Sequence, residues 1–279
     1  MSGVAFDQPM AVCVAPNGAR KTRDDHPAVP VTAREVAEGA VRWREAGAAM
    51  LHLHVRDAQA GHVLDADLYI EATAAVRAAV GDDMVIQITT EAVGKYTAAE
   101  QMAVVRAVRP EAVSLAVREL IPDADHEKDA AAFLSEVVGW GCAPQYILYA
   151  AEDVARLHDL RRRGIIPGNR MNVLFVLGRY SRNQDSDPRD LLPFLERWNP
   201  AVDGPFSVCA FGRREGTCVL AAGALGGHAR VGFENNTLRA DGSAAADNAD
   251  LVAQVAEGAR LLGRRVASAD DIRRLMDPL

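Results

Sequence analysis

The chain has 279 residues, 49% of them hydrophobic and 25% charged, with a formal net charge of −7 at pH 7. That balance excludes disordered and fibrous classes, and it argues against a protein that neutralises nucleic-acid phosphates, which needs a basic surface. The length suffices for one large hydrophobic core or two small ones.

In chain order, short apolar runs fall at 10–16, 49–55, 84–90, 111–117, 145–150, 172–177, 205–211 and 229–234. Between them lie Ala-rich segments with helical spacing at 32–46, 67–80, 97–108, 128–138, 152–163, 188–197, 216–225 and 246–262. Thr32 with Glu35 and Thr97 with Glu100 have capping-box spacing, and 268–276 reads as a capped terminal helix. Eight strands alternating with eight helices in about 250 residues predict a (β/α)8 TIM barrel, an α/β fold, in preference to an open sheet. No linker or compositional shift divides residues 1–279, so a single domain is expected. The four cysteines, Cys13, Cys142, Cys209 and Cys218, show no CxxC spacing and read as reduced thiols. No run reaches the ~18 apolar residues of a membrane span, and the start lacks the features of a signal peptide. A cytoplasmic protein without nucleic-acid or membrane partners is therefore expected.

Barrels of this kind gather their chemistry at the C-terminal ends of the strands. The second strand reads "MLHLHVRD", which puts His52 and His54 two residues apart and so on one side of the strand. A single buried histidine is ordinarily a satisfied core residue. Two imidazoles on one buried face are costly unless something bonds both, which points to a metal ion, zinc foremost. The eighth strand ends in Glu234 and adjoins the first once a barrel closes, so Glu234 is the expected third ligand. Two histidines, a carboxylate and an open position make a catalytic zinc pattern. His228 is a rival ligand, but it starts its strand and should lie at the other end of the barrel.

The segments "PNGAR", "HPAVPVTAREVAEGA", "AGAAMLHLHVRD", "VIQITT", "FVLGR", "CAFGRRE" and "GGHARVGFENN" together resemble the β-keto acid cleavage enzymes, a family that includes the 3-keto-5-aminohexanoate cleavage enzyme. The resemblance implies a zinc-bound (β/α)8 barrel, usually a homo-oligomer. It would cleave a β-keto acid with acetyl-CoA to give acetoacetate and a new acyl-CoA. It carries the zinc ligands onto His52, His54 and Glu234, an arginine onto Arg230, and substrate-facing hydroxyls onto Thr89, with Thr90 adjacent, and Ser114.

Three departures qualify it. Asn235 stands where the family has an aspartate proposed as the base, Ile147 where a supporting glutamate is expected, and Thr90-Glu91-Ala92 where a glycine-rich turn is usual. Asparagine has no proton-accepting carboxylate, so another group must act as base or the chemistry must differ. Glu91, at the end of the third strand, is the candidate substitute; a solvated loop residue is its ordinary reading. Arg20 aligns where the 3-keto-5-aminohexanoate cleavage enzyme has a glutamate suited to an amino group, so an anionic or neutral polar far end of the substrate is expected. Arg213 and Arg214 follow the seventh strand and are candidates for CoA phosphates, while Arg56 and Asp57 are candidates to orient an imidazole. Two other functions fit the same residues: a metal-dependent hydrolase or aldolase-type lyase that needs no CoA, and a zinc-retaining ligand-binding barrel without turnover.

Overall fold

A computed structural model of the chain describes residues 8–277. Eight parallel strands close into a barrel: β1 Val12–Val14, β2 Met50–Leu53, β3 Val85–Thr89, β4 Ala112–Ala116, β5 Ala143–Leu148, β6 Asn172–Leu177, β7 Phe206–Ala210 and β8 His228–Val231. Each pairs with its neighbours in sequence, and β1 closes the ring by pairing with both β2 and β8. The expected (β/α)8 TIM barrel is therefore the observed fold. No helix among the described residues is long and apolar enough to cross a membrane.

The outer helices α1 Ala33–Ala46, α2 Ala66–Val80, α3 Ala98–Val108, α4 Glu127–Gly139, α5 Ala151–Arg162, α6 Glu215–Ala224 and α7 Asn248–Leu261 bury one face against the strands. Both expected capping boxes form: the hydroxyls of Thr32 and Thr97 accept from the backbone N–H of Glu35 and Glu100, whose carboxylates reach back to the cap backbone. These bonds satisfy amides that a helix start otherwise leaves open. The last helix, α8 Ala269–Met276, plugs the N-terminal end of the barrel. Its Ile272 and Met276 pack on Cys13, Met50, Val85 and Ala112, each burial contributing about 1.5–3 kcal/mol.

Beyond shifts of one or two residues at element ends, the strands and helices differ from their sequence-based outlines in three places. The expected helix 188–197 is a 3-10 turn, Pro188–Leu191, followed by one short turn, Leu192–Leu195. Pro193 has no N–H to give a continuing helix, so the two turns do not fuse. The second strand stops at Leu53, and Val55–Arg56 pairs instead with His62–Val63 in a separate antiparallel ribbon, which leaves His54 at the joint. The eighth strand starts one residue earlier than expected and ends at Val231. At Gly232, φ is +138° and a Cβ would stand 2.4 Å from the carbonyl oxygen of Ala15, so only glycine makes this exit. The break turns Glu234 off the strand line and over the barrel mouth.

Candidate metal centre and cavity

Three side chains meet at the C-terminal mouth. His52 is the last but one residue of β2, His54 follows the strand end, and Glu234 comes from the loop after β8. Their facing atoms form a nearly equilateral triangle: His52 Nε2 to His54 Nε2 is 3.2 Å, His54 Nε2 to Glu234 Oε2 is 3.3 Å, and His52 Nε2 to Glu234 Oε2 is 3.5 Å. Glu234 sits close to the first loop because Gly18 has no side chain; a Cβ there would stand 2.3 Å from Glu234 Cγ.

The protonation pattern leaves three lone pairs directed at one another. Burial, with Arg230 adding to it, drives the His52 imidazole down to about 3, so it is neutral. Its Nδ1 donates to Gln87 Oε1 at 2.8 Å. Gln87 Nε2 donates to Gln145 Oε1, and Gln145 Nε2 to Asn172 Oδ1, both at 3.2 Å. This chain of buried amides makes Gln87 Oε1 an acceptor, which puts the His52 proton on Nδ1 and bares Nε2. A parallel relay sets His54. His62 Nε2 donates to the Glu91 carbonyl at 2.9 Å, and the bare His62 Nδ1 accepts from His54 Nδ1 at 3.5 Å. Burial, then His54, lowers the His62 imidazole to about 4, so it too is neutral.

Burial pushes the Glu234 carboxyl up, but the Arg230 guanidinium outweighs this and holds it well below the usual carboxylate range. Arg230 donates to Glu234 Oε1 at 2.5 Å, while the buried Oε2 has no hydrogen-bond partner. Two bare imidazole nitrogens and a bare carboxylate oxygen at these spacings fit a divalent ion. Tetrahedral bonds of about 2.0–2.1 Å put neighbouring ligand atoms about 3.3–3.4 Å apart. Among the described residues, His52, His54 and Glu234 are the cluster able to hold a metal ion.

The triad opens onto a tight cavity lined by Thr89, Glu91, Ile147, Tyr149, Val176, Arg179, Phe211 and Arg230 besides His52 and Glu234. A wider groove of about 720 Å³ runs outside it, between the first loop and the ribbon, and of the triad touches His54 alone. Glu91 Oε2 lies 3.9 Å from His54 Nε2. Its backbone is pinned on both sides, the N–H by Thr89 Oγ1 at 3.1 Å and the carbonyl by His62. Thr89 faces the cavity, whereas the Thr90 hydroxyl turns away and donates to the Ser114 carbonyl at 3.2 Å. Ser114 pairs with Thr89 in register, and its buried Oγ has no partner. Asn235 is buried with both amide atoms unpartnered, and Ile147 is part of the apolar wall.

Other residues lie elsewhere. Arg20 is exposed and outside the residues lining the cavity. Arg213 is exposed beside a separate surface groove shared with Arg214, whose guanidinium pairs with Asp187 at 2.7 Å. Asp57 does not orient an imidazole: its carboxylate accepts from the backbone N–H of Gln59 and Gly61 and closes a turn. Arg56 donates to the carbonyls of Asn17, Gly18, Lys21 and Ala60 and ties the first loop to the ribbon. His228 sits at the far end of the barrel, where its Nδ1 accepts from Ala11 N–H at 3.1 Å.

Sequence reading passed over Gln87, His62, Tyr149 and Arg179. Tyr149 and Arg179 follow the ends of β5 and β6, so the rule that chemistry sits at strand C-termini was a signal for both. Nothing in the local pattern marks Gln87 or His62.

A family model described as beta-keto acid cleavage enzyme matches residues 9–277. A 3-keto-5-aminohexanoate cleavage enzyme of Fusobacterium nucleatum is 28% identical over 271 residues, covering 95% of each chain. A 3-oxoadipate:acetyl-CoA acetyltransferase of Cupriavidus necator is 28% identical over 277 residues, covering 96% of this chain and 95% of that protein. The apo structure of ObcA superposes with a TM-score of 0.71 at 18% identity, over 90% of this chain and 65% of that one, a likeness of fold. With the match running through every strand of the barrel and both ends of the histidine–glutamate triad, the chain belongs to the beta-keto acid cleavage enzyme family.

Proposed function

We propose that this protein exchanges acyl groups between a β-keto acid and acetyl-CoA with one zinc ion held by His52, His54 and Glu234. The acyl group of the keto acid leaves its CH2–COO⁻ unit and passes to CoA sulfur, the acetyl group of acetyl-CoA joins that unit, and acetoacetate and a new acyl-CoA result with no further reactant. The observation that carries this reading is the triangle of three bare ligand atoms at 3.2–3.5 Å in a chain of this family. Zinc, when bound there, supplies a Lewis acid for the keto oxygen and the carboxylate.

The chain's own groups then have separate tasks. Glu91 is assigned the proton taken from the substrate, since its carboxylate lies beside the triad and Asn235 has no basic atom. The Thr89 hydroxyl, whose oxygen already accepts from Glu91 N–H, keeps its own proton to donate into the cavity. Burial pushes the Tyr149 phenol well above its ordinary value, so it stays protonated as a second donor. Arg230 holds Glu234 in place, and the unpartnered polar atoms of Ser114 and Asn235 are assigned to orienting the substrate. Arg213 is assigned to the CoA phosphates and Arg20 to the periphery of substrate binding, while Thr90, whose hydroxyl is spent on the Ser114 carbonyl, has no contact with substrate. The protein acts as one domain, in the cytoplasm, as a homo-oligomer.

The test is the purified zinc-loaded protein with acetyl-CoA and a panel of β-keto acids, followed by acetoacetate release. CoA-dependent acetoacetate is expected. Product formed without CoA would replace the reading by a hydrolase or lyase, and silence with the metal bound would replace it by a ligand-binding barrel. Glu91→Gln is expected to lower kcat by roughly 10²–10⁴-fold, and an undiminished rate removes its assignment.

A further inference from the structure

The cavity holds a cation that the reaction outlined above does not use. Arg230 is committed to Glu234, and Glu91 faces the histidines. Arg179, just beyond β6, lines the same cavity half-buried, and among the described residues no carboxylate lies within ion-pair reach of it. Its guanidinium carbon sits 5.3 Å from the Phe211 ring centroid and 5.7 Å from that of Tyr180. Glu119, which acts on it electrostatically, is engaged by Ala92 N–H at 3.0 Å. The neighbouring Arg118 is satisfied, with Asp153 at 2.6 Å and the Tyr149 ring beneath it.

A guanidinium held between aromatic rings keeps its in-plane N–H donors for a planar anion. With no carboxylate in ion-pair reach of it among the described residues, a ligand anion is the natural partner of this guanidinium. Arg179 and the triad share a cavity whose lining includes the apolar Ile147, Val176 and Phe211, a surface suited to a short methylene chain. The cavity is too small to receive CoA.

We infer that the substrate is a short-chain β-keto dicarboxylate whose far carboxylate is received by Arg179. The inference rests on the function proposed above and adds the substrate class and the residue that selects it. A CoA phosphate is the other source of an anion at this position, and the test separates the two.

Zinc-loaded protein is assayed on chain-matched pairs, 3-oxoglutarate against 3-oxopentanoate and 3-oxoadipate against 3-oxohexanoate, as wild type, Arg179→Gln and Arg179→Lys. In parallel, glutarate and pentanoate are titrated calorimetrically without CoA. Expected is a diacid preference in kcat/KM of about 10–100-fold in at least one pair, the gain of a charge-assisted hydrogen bond. Arg179→Gln should abolish that ratio, Arg179→Lys should restore part of it, and glutarate should bind wild type at least about tenfold more tightly than Arg179→Gln. Monoacids used equally well in both pairs would overturn the inference, as would a variant that changes only the KM for acetyl-CoA. If no β-keto acid turns over, the proposed reaction falls, and the glutarate titration alone decides whether Arg179 is a carboxylate site.

Discussion

Both ends of the barrel bury histidines, and the two ends use them in opposite ways. At the N-terminal end, His228 accepts from Ala11 N–H, and Arg264 donates to the carbonyls of Gln8, Pro9, Gly223 and Gly227. These bonds tie the start of β1, the turn before β8 and the chain after α7 together. At the C-terminal mouth the opposite holds. The lone pairs of His52 Nε2 and His54 Nε2 face the unpartnered Glu234 Oε2, and Arg179 has no ion-pair partner among the described residues. The lesson is that burial and residue type do not separate a structural histidine from a functional one. The direction of its hydrogen bonds does.

The contrast breaks most visibly at the carboxylate ligand. Glu234→Gln should abolish stoichiometric metal binding and lower kcat by on the order of 10³-fold, the several kcal/mol expected of metal-assisted chemistry, while the metal-free protein keeps its thermal stability. Metal content, turnover and calorimetry together check this, and a variant that retains both metal and rate would erase the distinction between the two ends. Arg264→Leu should show the reverse, losing about 3 kcal/mol in urea unfolding because buried carbonyls lose a charged donor, with turnover per folded molecule unchanged. Next in size, Gln87→Leu frees the His52 tautomer and should weaken zinc affinity by about 10–100-fold in chelator competition, and an unchanged affinity would remove the amide chain from the account.

The smallest effect is a pH dependence at the structural end. Burial, then Arg264, lowers the His228 imidazole to about 3. The unfolded chain takes up a proton on this residue once the pH drops below about 6.5, and the folded chain does not. Its contribution to stability is therefore complete above that pH and is lost as the pH falls toward 3. Comparing wild type with His228→Asn in urea at pH 6.5 and pH 5, the wild type should lose about 1.5 kcal/mol more than the variant; equal losses would contradict a neutral folded-state imidazole.

Much of this arrangement is legible in the sequence. Strand and helix periods alternate cleanly enough to give the closed barrel, and the i, i+2 spacing of His52 and His54 puts both on one side before any coordinates are known. Barrel closure then brings Glu234 to them, since β8 pairs with β1 and β1 with β2. What the sequence does not reveal depends on register and loop path. Gln87 matters because it pairs with His52 across β2 and β3, and His62 because a ribbon folds it back onto His54. Arg20 and Arg179 are both strand-end arginines by sequence, and only the course of the loops makes one exposed and the other part of the cavity wall. The split helix after β6 turns on Pro193, a local signal outweighed by the apolar spacing around it.

The central claim is one divalent ion held by two imidazole nitrogens and one carboxylate oxygen. X-ray absorption on stoichiometrically analysed protein tests it most directly. The account predicts one zinc per chain with two nitrogen neighbours at about 2.0–2.1 Å, oxygen completing the shell and no sulfur scatterer, a signal lost in Glu234→Gln. Protein purified without chelator that holds no stoichiometric metal, or a shell containing sulfur, would contradict it.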